Sequence, residues 1–240
     1  MKKSVRHKSI FGHSKVSIFK WMKFLYRFSQ GLRLQQIDMI EDDIAGSSAT
    51  LSMMAKKVRE ACVVAMDKLR RRRGQHIGGR GEFIYGRGRM DGGWKRRKWV
   101  FGMLGVKYQR HKSAKPVLRL VERRTRRELI PLIAHHAKRG SIIISDEWRA
   151  YRHALPQLGY KHYTVNHSVA FVDAQIGAHT QHIERAWRTY KENVWRLRGN
   201  RTEELLVDHL AVIERQEWLA KDYHSGPLGR LIHDTGKLYR

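Results

Sequence analysis

The chain has 240 residues, 41% of them apolar, and its 49 Lys+Arg against 22 Asp+Glu give a formal net charge of +27. That apolar content excludes a disordered chain, and four prolines without a repeat exclude collagenous or low-complexity architecture. One cysteine, Cys62, excludes an internal disulfide framework and a Cys-rich zinc site; the charge points to a polyanionic partner, nucleic acid ahead of an anionic membrane surface.

No apolar run approaches the roughly 20 residues of a membrane span, and residues 1–17 read as a basic arm without the apolar stretch of a signal peptide. Phe19, Met22, Leu25 and Tyr26 are at helical spacing, and Gly31 ends that helix. Leu32, Ile37 and Ile40 predict a second short helix, and residues 43–47 a turn. Ser47 or Ser48 caps a long third helix whose apolar stripe is Leu51, Met54, Val58, Cys62, Ala65 and Leu69. Helix, helix, turn, helix is the plan of a helix-turn-helix unit over 18–73, although a plain three-helix bundle has the same signature.

The third helix runs into Arg70, Arg71, Arg72 and Arg73, which open a basic zone. Residues 67–127 hold 21 Lys+Arg and 4 Asp+Glu, interleaved with Phe83, Tyr85, Trp94, Trp99 and Phe101. Dense positive charge with aromatics suits phosphate contact and base stacking, and the same aromatics suit a strand core. Candidate nucleic-acid contacts are Arg70 to Arg73, Arg87, Arg89, Lys95, Arg96, Arg97 and, further on, Lys191. Eight glycines between Gly74 and Gly93 mark a Gly/Arg-rich joint over 74–96; no phosphate-loop motif is present, so a linker is the default reading.

Beyond the joint, residues 98–107 and 115–121 predict consecutive strands, and 126–139 a helix containing Pro131. Residues 141–145 form a short apolar strand with Asp146 at its C-terminal end, followed by a helix through Leu155. Residues 161–165 predict another strand; helices follow over about 181–198 and 202–218, and residues 221–240 a tail. Hairpin strands followed by alternating strands and helices describe a mixed α/β domain over 97–220. A carboxylate ending a buried strand is a favoured functional position. Glu184 and Lys191, seven apart, share a helix face. Asp146 and Glu184 could hold Mg²⁺ jointly; alternatively Asp146 caps the next helix and Glu184 pairs with Arg188.

Residues 141–151 (SIIISDEWRAY), 166–191 (NHSVAFVDAQIGAHTQHIERAWRTYK) and 97–103 (RKWVFGM) resemble a DDE-type insertion-sequence transposase family, the Merlin-like branch with an ISXO-like transposase domain. The resemblance covers roughly residues 20–220 and includes the IGG of 77–79. It implies an RNase H-like mixed sheet with flanking helices, preceded by the helical segment, and phosphoryl transfer by two Mg²⁺ (or Mn²⁺) ions held by carboxylates. It assigns Asp146 as the second catalytic aspartate, Glu184 as the acid of the IE…W element and Lys191 as a DNA-contacting lysine. Gln181 stands where the family often has Asn, which leaves Gln181 and Glu184 as alternatives for the third catalytic position. The implied partner is double-stranded DNA bearing terminal inverted repeats, with no membrane; a homodimer is left open. The implied location is intracellular, nuclear in a eukaryote and cytoplasmic in a bacterium.

Two departures set the expectation for activity. The family's zinc-ribbon segment has no CxxC counterpart here. Its first catalytic aspartate, carried by an I-D-E motif on the central strand, is also missing: residues 77–90 read IGGRGEFIYGRGRM. The central first strand is expected to be truncated, with EFIYG able to fill its place as a short strand and Glu82 or Asp91 as poor substitutes for the acid. The resulting expectation is a transposase-derived DNA-binding protein impaired in catalysis. A host-retained, non-catalytic DNA-binding protein and an unrelated basic RNA-binding protein are the alternatives.

Overall fold

A computed structural model describes residues 4–35, 39, 41–73, 82–88, 99–106, 115–146, 151, 153–165, 181–197 and 202–239. At 72, 73, 82–88, 106, 146, 165, 181–183 and 195 it describes the backbone. By internal contact the chain divides into two compact units, Met1–Lys68 with Glu192–Arg240, and Leu69–Lys191.

In the first unit, α1 (Ile18–Ser29) starts at Ser17, whose side chain accepts from the Lys20 backbone N–H, and ends before Gly31, whose φ of 65° only glycine adopts easily. Its inward stripe is Trp21, Phe24, Leu25 and Phe28. These pack with Leu51, Met54, Val58 and Cys62 of α2 (Ser48–Arg73), with Val212, and with Leu231. Each such apolar side chain contributes roughly 1.5–3 kcal/mol through burial. Ser47 caps α2, accepting from the Thr50 N–H at 3.2 Å. The expected second short helix lies mostly outside the described residues.

The predicted basic arm is folded into this unit. Ile10 is buried in the core, and Arg6 turns inward to donate to the carbonyls of Phe11, Ser14 and Val16 at 3.2, 2.7 and 2.9 Å. Lys57 of α2 donates to the Ile10 and Gly12 carbonyls at 3.2 and 2.8 Å. Backbone carbonyls that a short loop cannot pair internally thus take their hydrogen bonds from cations that the sequence alone reads as solvent-facing.

The tail is likewise helical. After α6 (Glu203–Arg215) and a π-helical turn at Gln216–Ala220, α7 (Gly226–Leu238) supplies Leu231 and a buried ion cluster. Asp234 accepts from Arg215 Nε at 3.0 Å and from Arg230 Nε at 2.9 Å, with Arg215 and Asp234 both almost fully enclosed. Removing one member of such a buried pair typically costs about 3–5 kcal/mol. Burial pushes the Cys62 thiol up to about 11, so it acts as a small hydrophobe.

The second unit is built on a five-stranded sheet in the order β3-β2-β1-β4-β5, with β1 Glu82–Gly88, β2 Trp99–Val106, β3 Lys115–Val121, β4 Ile142–Asp146 and β5 Lys161–Val165. β1 runs antiparallel to β2, and β2 to β3; β1, β4 and β5 are parallel. The segment EFIYG, expected as a short strand, begins the seven-residue central strand, so this part of the Gly/Arg-rich stretch is sheet rather than linker. Its glycines suggest a loop, but β2 and β4 on either side supply the backbone partners that make it a strand.

One face of the sheet buries Phe101, Met103, Val117, Val121 and Ile143 against Leu129, Ile133 and Ala137, at or just after α3 (Arg126–His136), and Leu155 of the short helix α4 (Ala154–Gln157). α3 accommodates Pro131 and ends at His136, three residues earlier than predicted, because Ala137 is already extended. The pleat sends Val100, Leu104, Leu118 and Ile144, all buried, to the opposite face, where α5 (Gln181–Arg196) lays Trp187.

Two buried histidines couple the stability of the fold to pH. Burial, then the charge of Arg59, lowers His209 to about 3; burial, then Arg119, His135 and Arg70, lowers His136 to about 3. Both folded values lie below the ordinary 6.5, so the unfolded chain takes up protons first. The stability these neutral rings contribute is full above about pH 6.5 and is lost as pH falls towards 3, at up to about 1.4 kcal/mol per pH unit for each ring. Urea midpoints should hold constant from pH 8 to 7 and fall below 6.5. His209→Gln and His136→Gln should each flatten that slope, and an unchanged slope in both would refute the assignment.

Candidate functional site

Asp146 is the last residue of β4, level with Val165 of β5. On its other side runs β1, whose parallel register sets Glu82, Phe83 and Ile84 level with Ile142, Ile143 and Ile144. Continued two residues along both strands, the same register brings Gly86 level with Asp146. Gly86 in turn pairs with Gly102 of β2. The row across the sheet therefore reads Val165, Asp146, Gly86, Gly102, with a single carboxylate. Glu82 stands four residues back along β1, about 13 Å at 3.3 Å per residue. It shares the face of Gly86 by alternation, but its level is that of Ile142.

The helix that carries the other predicted acid is fixed over this row. The Trp187 indole lies on Gly102: a methyl group there would collide with Cζ2 and stand 2.9 Å from Cη2. A Gly in a strand interior often marks such a close approach. Tyr190 meets Trp187 edge-on, with ring centroids 6.1 Å apart. Glu184 sits about one turn before Trp187, exposed at the start of α5; Arg188 and Lys191 are exposed further along. Ser145, just before Asp146 and buried on the opposite face, contacts His162 Nε2 at 2.9 Å, and burial lowers that imidazole.

Of the predicted nucleic-acid contacts, Arg71 is exposed and Arg70 half-buried at the end of α2, and Lys191 is exposed. Arg72, Arg73 and Arg87 lie on described backbone, in α2 and β1. Arg89, Lys95, Arg96, Arg97 and Asp91 lie outside the described residues, and of Gln181 only the backbone is described, in the first turn of α5. Among the described residues, no group of three or more His, Cys, Asp or Glu is arranged to hold a metal ion. On the described strands beside Asp146, neither β1 nor β5 offers an acid at its level, so those strands do not supply the ligands of a carboxylate-bridged cation pair. Sequence reading missed the Gly86–Gly102 pair and its Trp187 cover; glycines inside otherwise apolar strands were the available signal.

A mixed α/β sheet flanked by helices, with a strand-end aspartate, is consistent with a transposase domain. The sequence model of the ISXO2-like transposase domain matches residues 72–195, just over half of the chain, and the chain belongs to that family. The match runs from the end of α2 to the last turn of α5 and so takes in all five strands. No curated protein matches the chain. No helix among the described residues is long and apolar enough to cross a membrane.

Gly102→Ala should destabilise the chain by about 1–3 kcal/mol, the ordinary cost of overpacking. Adding Trp187→Phe should recover part of the loss, read as urea midpoints by circular dichroism. A neutral Gly102→Ala would show that the indole does not rest on this strand.

Proposed function

We propose that the chain is a transposase-derived DNA-binding protein built on an RNase H-like sheet, impaired in metal-dependent phosphoryl transfer. The order β3-β2-β1-β4-β5, with β1, β4 and β5 parallel, supports the sheet reading. The transposase-family match and the basic zone of residues 67–127 support DNA as partner, bound through phosphate contacts that carry little sequence information. Placement in a Merlin-like branch rests on the three sequence blocks. The observation that carries impairment is the register that sets Gly86, not an acid, beside Asp146. Two cations about 4 Å apart need carboxylates that bridge them, and Glu82 is about three times that distance away along the strand at 3.3 Å per residue.

Asp146, Glu184 and Lys191 are the residues through which this site would meet DNA near the scissile position. The roles of Asp146 and Glu184 reduce to weak, single-cation binding, and Lys191 contributes phosphate contact from the exposed face of α5. Arg71 extends the positive surface at the end of α2, and Arg72 and Arg73 follow it in sequence.

Binding to duplex DNA should weaken by about 10³–10⁵ between 50 and 200 mM salt if roughly 6–10 phosphates are contacted. Replacing Arg71, Arg72 and Arg73 with alanine should lower the salt slope, and a flat titration would remove the nucleic-acid reading. Preference for terminal inverted repeats over random duplex separates a transposase relic from a general polyanion binder.

Labelled duplex carrying candidate terminal repeats should remain intact with Mg²⁺ or Mn²⁺. Strong cleavage by the unmodified chain, lost in Asp146→Asn, would overturn the impaired reading.

A further inference from the structure

We infer that Gly86 holds the place on β1 at which a carboxylate would join Asp146 in binding a divalent cation. The inference rests on the proposed function and names the position where that site fails. Three features of the sheet lead to it.

The first is level. β1 and β4 are parallel neighbours, and their register, continued from the Ile84–Ile144 pair, sets Gly86 beside Asp146. Neighbouring strands are about 4.8 Å apart, so carboxylates at these two positions would reach a common cation. The second is face. Gly86 is paired with Gly102, and cross-strand partners share a face; the Trp187 indole of α5 identifies that face as the one α5 covers. Glu184, one turn earlier on α5, belongs to the same layer. The third is the absence of a substitute on the two neighbouring strands. On β5 the partner of Asp146 is Val165, and the nearest acid on β1, Glu82, belongs to the level of Ile142. Hard cations such as Mg²⁺ and Mn²⁺ take several oxygen ligands, and affinity follows ligand charge and number. One strand carboxylate therefore leaves the site weak, whereas two would repel one another until a cation arrives between them.

The test is Mn²⁺ binding by the full chain, followed through loss of the free-ion electron-paramagnetic signal and through the Mn²⁺-induced rise in melting temperature. The unmodified chain, Gly86→Ala and Gly86→Asn should bind weakly. Gly86→Asp should bind at least about tenfold more tightly, as expected for one added carboxylate ligand. It should also melt lower than Gly86→Asn without metal and recover when Mn²⁺ is added. Gly86→Asp with Asp146→Asn should lose the gain, and Gly88→Asp, two residues further along the same strand face, should not show it.

The inference is overturned if Gly86→Asp binds no better than Gly86→Asn, if the gain survives Asp146→Asn, or if Gly88→Asp gives it instead. Failure of Gly86→Asp or Gly86→Ala to fold would also overturn it, because it requires room for a side chain at that position. Salt-dependent DNA binding, measured on the same proteins, keeps the two readings apart. Metal gain without DNA binding refutes the DNA reading and leaves Gly86 assigned; DNA binding without metal gain does the reverse.

Discussion

The parallel pairing of β1 with β4 is the constraint on which the second unit depends. Up to β3 the chain is an antiparallel meander, in which each strand finds its partner through a local connection. β4 must instead return past β2 and β3 to lie on the far side of β1, which makes β1 central and gives every later strand its direction. A parallel register also carries no tight turn to correct it, so it is held by the alternation of buried residues. Ile143 faces the α3 layer and Ile144 the α5 layer; a slip of one residue would exchange them and carry Asp146 to the opposite face.

In the first unit the same economy is met with charge. Several of the cations that make the composition so basic have internal partners. Arg6 and Lys57 satisfy loop carbonyls, Arg215 and Arg230 enclose Asp234, and Lys20 and Arg27 pair with Asp43 and Asp42. These partners leave the formal net charge of +27 unchanged, because the acids are already counted in it, but they fix where several of the cations lie. The remaining positive surface includes Arg71 and Lys191, towards the end of α2 and on the exposed face of α5.

Much of the second unit was legible from periodicity. The strands at Trp99–Val106, Lys115–Val121 and Lys161–Val165 and the helix from Gln181 follow apolar patterns that no other local structure explains. β1 was harder to read. Its glycines and arginines carry the signature of a linker, and only the neighbouring strands, distant in sequence, make it regular. Arg6 was misread for a related reason: an arginine in a polar segment gives no local sign that three carbonyls await it. The position of Asp146 at a strand end could be read from the apolar run before it. That Gly86 and Val165, not acids, stand level with it on the neighbouring strands required the register. The Trp187 contact was illegible because a packed glycine and a flexible one have the same letter.

The core of the first unit draws Ile10, Trp21 and Leu51 from near the start of the chain and Val212 and Leu231 from near its end. During synthesis the early helices leave the ribosome long before the segments that cover them. The residues of the whole second unit emerge in between, and loop closure over so many residues is slow. The first unit to be made is accordingly the last to be closed, and Trp21, Phe24 and Phe28 stand without their final cover for most of translation.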